Sequence, residues 1–254
     1  MITRHHLTLV LMCTLILGVA IYPSDVIQLG MLAAGSCAGA VLPDIHMKKP
    51  KRTGLRTIAF YISRFTILFC SPVLIRLCHA VNGMSLSPSD KRLSHSVPGI
   101  FIIGSMVAGF FIIPFFLFRF GLVPPLVLAF VAGVLAGLAF HLIEDSCTRK
   151  GFFPLFPFYT MKISGSIRPC DRTDSRIAQY HFHHCSIIIV IIGLHLVSVW
   201  PQSISLLLSL FGLFSCLTMM VWFSDVRIEI SCQQPENSRP AYTVPLSFLT
   251  NPVF

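Results

Sequence analysis

Six long apolar runs, at about residues 7–23, 26–42, 97–118, 122–143, 185–200 and 203–223, constrain this chain more than any other feature. Each approaches the ~20 residues that carry an α-helix across a bilayer. In hydrocarbon every backbone polar group must be satisfied within the segment, so such runs become helices. Only 11% of the 254 residues are charged and 54% are hydrophobic, which excludes an ordinary soluble domain. The fold expected is therefore all-α: a polytopic membrane protein with about six transmembrane helices in one domain, residues 1–223. A polar tail with several prolines follows at 224–254.

The N-terminal run resembles a signal peptide in composition, with Arg4 before it and Gly18 and Ala20 within it. It continues to Tyr22 and Pro23, however, and is long enough to span. Residues 57–79 are also apolar, but Arg64, Arg76 and the Ser71-Pro72 pair interrupt them, so an interfacial or re-entrant helical segment is expected there.

Charge then orients the chain. With both termini cytoplasmic and 57–79 lying at the inner surface, every Lys and Arg except Arg119 falls on the inner side, as the positive-inside rule requires. The expected location is a bacterial-type inner (plasma) membrane. The formal charge of +9 follows the helix ends and lacks any aromatic-interleaved motif. It therefore points to anionic lipid headgroups and not to nucleic acid. The nine cysteines show no C-x-x-C spacing and read as small apolar residues. Gly133 and Gly137 form a G-x-x-x-G pair, which favours close packing against a helix of the same chain or of a second copy in a homo-oligomer.

Under this topology His6, Asp44, His46, His95, His141 and Asp145 all reach the same membrane face. His141 and Asp145 are four residues apart and project from one side of a helix. That spacing suits a shared metal ion, and it equally suits a polar cap where the helix leaves the bilayer. YHFHHC at 180–185 has a metal-binding composition but also fits an interfacial cap, with His181 and His184 as the members able to join a site. His195, midway along the fifth run, suits a neutral imidazole bonded to a neighbouring helix.

Four stretches, HHL (5–7), AGAVLPDIH (38–46), DKRLSHS (90–96) and FHLIEDSCTRKGFFPLFPF (140–158), resemble in order and spacing the YdjM-like family of membrane-bound metal-dependent hydrolases. That family carries an N-terminal His, an L-P-D-I-D-H turn, an H-R-G-x-T-H-S loop and an H-L-x-x-D-x-x-T-x-x-G-x-x-x-x-x-P segment. The last is matched at His141, Leu142, Asp145, Thr148, Gly151 and Pro157. The resemblance implies metal ligands at His6, Asp44, His46, Asp90, His95, His141 and Asp145, and Asp145 or Asp90 as general base. It further implies a divalent ion, zinc being the first candidate, and metal-dependent hydrolysis; the position of the site at headgroup depth on the cytoplasmic side points to a lipid or other membrane-associated ester, a phosphoester among them, as substrate.

Two departures stand out: His46 replaces the second Asp of L-P-D-x-D, and Asp90 replaces the first His of the loop. Together they conserve ligand charge, which predicts a compensated exchange. Lys91-Arg92 in place of Arg-Gly removes a glycine that often marks a turn. A metal or small-solute transporter, or a non-catalytic protein with a decayed site, is the alternative function.

Overall fold

A computed structural model describes residues 3–45, 71–83, 90–118, 123–159, 161–169, 171, 173–197 and 201–230. Its helices are α1 (Thr3–Ile21), α2 (Val26–Ile45), α3 (Ser71–Asn82), α4 (Lys91–Ser94), α5 (Val97–Leu117), α6 (Pro125–Cys147), α7 (Arg176–Val197) and α8 (Gln202–Phe223). Strands β1 (Met161–Ser164) and β2 (Arg227–Ile230) complete the described elements.

Five of the expected spans, α2 and α5 to α8, are long and apolar enough to cross a membrane. The first expected span, α1, has a shorter apolar stretch, His5–Ile21. It nevertheless lies at the centre of the bundle, packed on α2, α6, α7 and α8. Val10, Cys13 and Ile16 of α1 form one core with Ala40, Phe140, Ile191, Leu213 and Cys216.

The outward surface is apolar, with Phe101, Phe116, Leu196, Phe211 and Trp222 exposed, whereas Thr14, Ser36 and several histidines are buried. That distribution is the reverse of a water-soluble fold and suits a lipid solvent. The buried Thr14 and Ser36 hydroxyls bond each other at 2.5 Å, joining α1 to α2.

The tightest helix pair is α2 with α6, because glycines face backbone from both sides. A Cβ on Gly35 or Gly39 would strike the carbonyl oxygen of Phe130 or Val134. One on Gly133 or Gly137 would strike that of Leu32 or Ser36. The G-x-x-x-G of α6 is thus used within the chain, and it brings the C-terminal ends of α2 and α6 together.

Local signals set the helix starts. Asp25 accepts the backbone N–H of Gln28 at 2.9 Å ahead of α2, and Ser96 accepts that of Gly99 at 3.0 Å ahead of α5. Pro125 occupies the start of α6.

Of the segment 57–79, residues 57–70 lie outside the described residues. The remainder belongs to α3, whose 12 residues are too few to span. It buries Leu74 and Cys78 against Leu93 and Phe156 while Arg76 is exposed.

The two-stranded antiparallel sheet is absent from the expected all-α scheme. Met161 pairs with Ile230 and Ser164 with Arg227. Residues 227–230 are therefore hydrogen-bonded to the 161–164 segment. Four-residue strands are too short to announce themselves by alternation. The rest of the tail, 231–254, lies outside the described residues.

Candidate metal centre

The site forms where four helix ends meet. His6 comes from the first turns of α1, Asp44 from the last turn of α2, His95 from the link between α4 and α5, and His141 and Asp145 from the end of α6. All but Asp44 are almost wholly buried.

Two of the imidazoles, those of His6 and His95, are aimed by their other ring atoms. His6 Nδ1 lies 2.7 Å from Glu144 Oε2, which leaves Nε2 turned towards Asp145 Oδ1 at 3.6 Å. His95 Nδ1 lies 3.2 Å from the Lys91 carbonyl oxygen. Its Nε2 stands 3.4 Å from Asp44 Oδ1, 3.5 Å from Asp145 Oδ2 and 3.3 Å from His141 Nε2. His141 stacks on His6 with ring centroids 4.4 Å apart. A carboxylate or carbonyl behind a histidine fixes its tautomer and points the second nitrogen's lone pair at a cation.

Two sets of donor atoms are close enough to share an ion: His6, Asp44 and His141, and His95, His141 and Asp145, each within 4.8 Å of one another. Buried polar atoms normally have hydrogen-bond partners, yet His6 Nε2, His141 Nδ1 and Glu144 Oε1 have none. Nitrogen and carboxylate donors gathered this way could hold a metal ion.

Of the seven expected ligands, the structure brings together His6, Asp44, His95, His141 and Asp145. His46 lies outside the described residues. Asp90 belongs to neither set: it caps α4, accepting the Arg92 backbone N–H at 2.9 Å and the Arg92 Nη2 donor at 2.8 Å. Burial pushes the Asp90 carboxyl up, but these bonds and the guanidinium charge hold it below the ordinary carboxylate range. Arg92 also lies over the Phe156 ring at 5.0 Å. Its backbone is helical, so the residue standing where the family has glycine requires no left-handed turn. Asp90 and Arg92 accommodate each other locally.

Several motif residues are architectural. Ser94 Oγ donates to the Pro43 carbonyl at 3.2 Å, tying α4 to the end of α2. Thr148 Oγ1 donates to the Asp145 carbonyl at 2.9 Å. Gly151 has φ +61°, and a Cβ there would strike the Ile163 carbonyl oxygen, so both conformation and space demand glycine.

The second histidine cluster does not join either set. His184 Nδ1 donates to the Tyr180 carbonyl at 2.7 Å, His183 pairs with Ser215 at 3.2 Å, and His181 lies beside His5 with centroids 5.8 Å apart. His195 lines a small cavity with Ser205 and Ser209 of α8.

Two residues of the site were not singled out by sequence. Glu144 falls at a variable position of the motif, and only the placement of α1 shows that it faces His6. Lys91 reads as a mere departure, yet its Nζ lies 3.5 Å from Asp145 Oδ2 and 4.0 Å from Asp44 Oδ1.

Residues 1–227 match the sequence profile described as YdjM inner membrane protein. No curated protein and no solved structure matches the chain.

Proposed function

The chain belongs to the YdjM inner membrane protein family, and on that footing we propose that it is a divalent-metal-dependent hydrolase acting on a membrane-associated phosphoester. The observation that carries this reading is the convergence of three imidazoles and two carboxylates from four helix ends, with buried ring nitrogens that no protein group satisfies. His6, Asp44, His95, His141 and Asp145 would hold the ion, with His141 common to both donor sets. A divalent ion held there supplies Lewis acidity and lowers the pKa of water towards ~7.

The protein's own groups divide the remaining work. Asp145 directs one oxygen to His6 and the other to His95 and His141. It is thus the carboxylate best placed to accept a proton from a water entering the cluster. Asp90 is not, because Arg92 engages it. Glu144 and the Lys91 carbonyl orient His6 and His95.

Because the ligands sit where apolar helices end, the site lies at headgroup depth, which favours a lipid or other membrane-held substrate. It also lies far from the bilayer midplane, where secondary transporters bind their cargo. The distribution of Lys and Arg supports a cytoplasmic side for this end and both termini.

The test is to purify the protein, measure bound metal, and assay hydrolysis of a generic phosphoester, in wild type and in His141→Asn and Asp145→Asn. Both variants retain a small polar group at the helix end. The hydrolase reading expects each to insert in the membrane yet lose metal and activity. Full occupancy and unchanged turnover in both would reduce these residues to a polar helix end.

A further inference from the structure

Lys91 occupies a position that metal binding by itself does not explain. It opens α4, immediately after its capping residue Asp90, and its ammonium approaches both Asp145 and Asp44. Its side chain is 38% exposed, whereas those of Asp145 and His95 are each 2% exposed. The ammonium therefore stands at the mouth, between the buried ligands and the outside. The adjacent guanidinium of Arg92 is turned away onto Asp90 and Phe156, so it does not share this role.

Asp44 and Asp145 fall in different donor sets. An ammonium close to both competes with any divalent ion for the same oxygens. Loading the site removes much of the negative potential that holds Lys91 and adds repulsion from the ion. The lysine head, a compact charge on a flexible four-carbon stem, can then swing without disturbing α4.

We propose that Lys91 is the anion-recognition residue of this site, exchanging the carboxylates of Asp44 and Asp145 for a phosphoryl oxygen of the substrate once a divalent ion is bound. The inference rests on the hydrolase reading above and sharpens it. The substrate carries a phosphate group, not a neutral ester, and it binds after the metal. A cation so placed also stabilises charge that grows on phosphoryl oxygens during transfer.

The proposal predicts effects of opposite sign on two ligands. In purified full-length protein, Lys91→Gln should bind zinc no more weakly than wild type, and by up to about tenfold more tightly, because a competing charge has gone. With zinc present, the same variant should bind inorganic phosphate at least about tenfold more weakly, through loss of a charge-assisted hydrogen bond. Lys91→Arg should recover much of the phosphate affinity. Without zinc, phosphate should bind neither protein.

Nanodiscs containing phosphatidic acid, compared with phosphatidylcholine alone, identify the source of the phosphate. Displacement of inorganic phosphate by phosphatidic acid marks a lipid headgroup, and retention marks a water-soluble phosphoester. Weaker zinc binding in Lys91→Gln, or unchanged phosphate affinity with zinc bound, would overturn the proposal while leaving the metal site intact. A wild-type protein that binds no divalent ion would overturn the hydrolase reading and this inference together.

Discussion

His6 Nδ1 and Glu144 Oε2 lie 2.7 Å apart although 138 residues separate them in the chain. Both side chains are buried, and neither has another hydrogen-bonded partner on its remaining side atom. The pair sets which nitrogen of His6 faces the cluster, so Glu144 is a positioning residue. Glu144→Gln preserves shape but can present an amide N–H in place of the acceptor oxygen, so it no longer enforces the Nδ1–H tautomer. Metal affinity should fall by about 10- to 100-fold, as for other partners behind a ligating histidine. Calorimetric titration with zinc checks this, and Glu144→Asp should not rescue it, since the shorter side chain does not reach. An unchanged affinity would mean that His6 is oriented by other means.

Asp90 separates a cap from a ligand. Asp90→Asn keeps a good capping side chain and loses the ion pair with Arg92. It should cost no more than about 1 kcal/mol of stability. Metal content should be unchanged. Metal loss without loss of thermal stability would return Asp90 to the ligand set, beside the His46 exchange expected from the motif.

Topology follows from the small sheet. Residues 161–164 and 227–230 are hydrogen-bonded neighbours, so the loops that contain them must share one side of the membrane. Reporters fused after residues 170 and 230 should give the same signal, and the Lys and Arg distribution makes that signal cytoplasmic. Opposite signals would contradict the strand pairing, and an external signal from both would invert the site.

The loop that closes this end is pH-sensitive in a defined direction. Arg176 donates to Asp174 at 2.7 Å and also reaches the Ser166 hydroxyl and the Phe223 carbonyl, tying the 166–174 segment to the end of α8. The Arg176 hydrogen bond holds the Asp174 carboxyl down at about 2, below its ordinary 3.8. A depressed carboxyl stabilises the fold fully above its unfolded pKa and loses that contribution as pH falls through the folded one. Thermal melts in detergent should show wild type more stable than Asp174→Asn at pH 7. The difference should shrink from about pH 4 downwards and be lost only below about pH 2. A constant difference across that window would exclude this clasp as its source.

The sequence by itself determined the membrane fold, because the run lengths, the near absence of charge within them and the obligation to satisfy backbone polar groups in lipid leave few alternatives. It also determined that His6, Asp44, His95, His141 and Asp145 share one end, since helices that alternate direction return their odd and even ends to common faces. Spacing could not reveal distances between helices. Gly133 and Gly137 read as a packing motif with no stated partner, and only the bundle shows α2 seated on α6 closely enough to bring Asp44 towards His95. The same limit hid Glu144, whose partner lies at the far end of the sequence, and the pairing of Asp90 with a cation two residues away. A residue's chemistry travels with its letter. Its role as ligand, cap or positioning group is decided by which side chain from another helix occupies the next few ångströms.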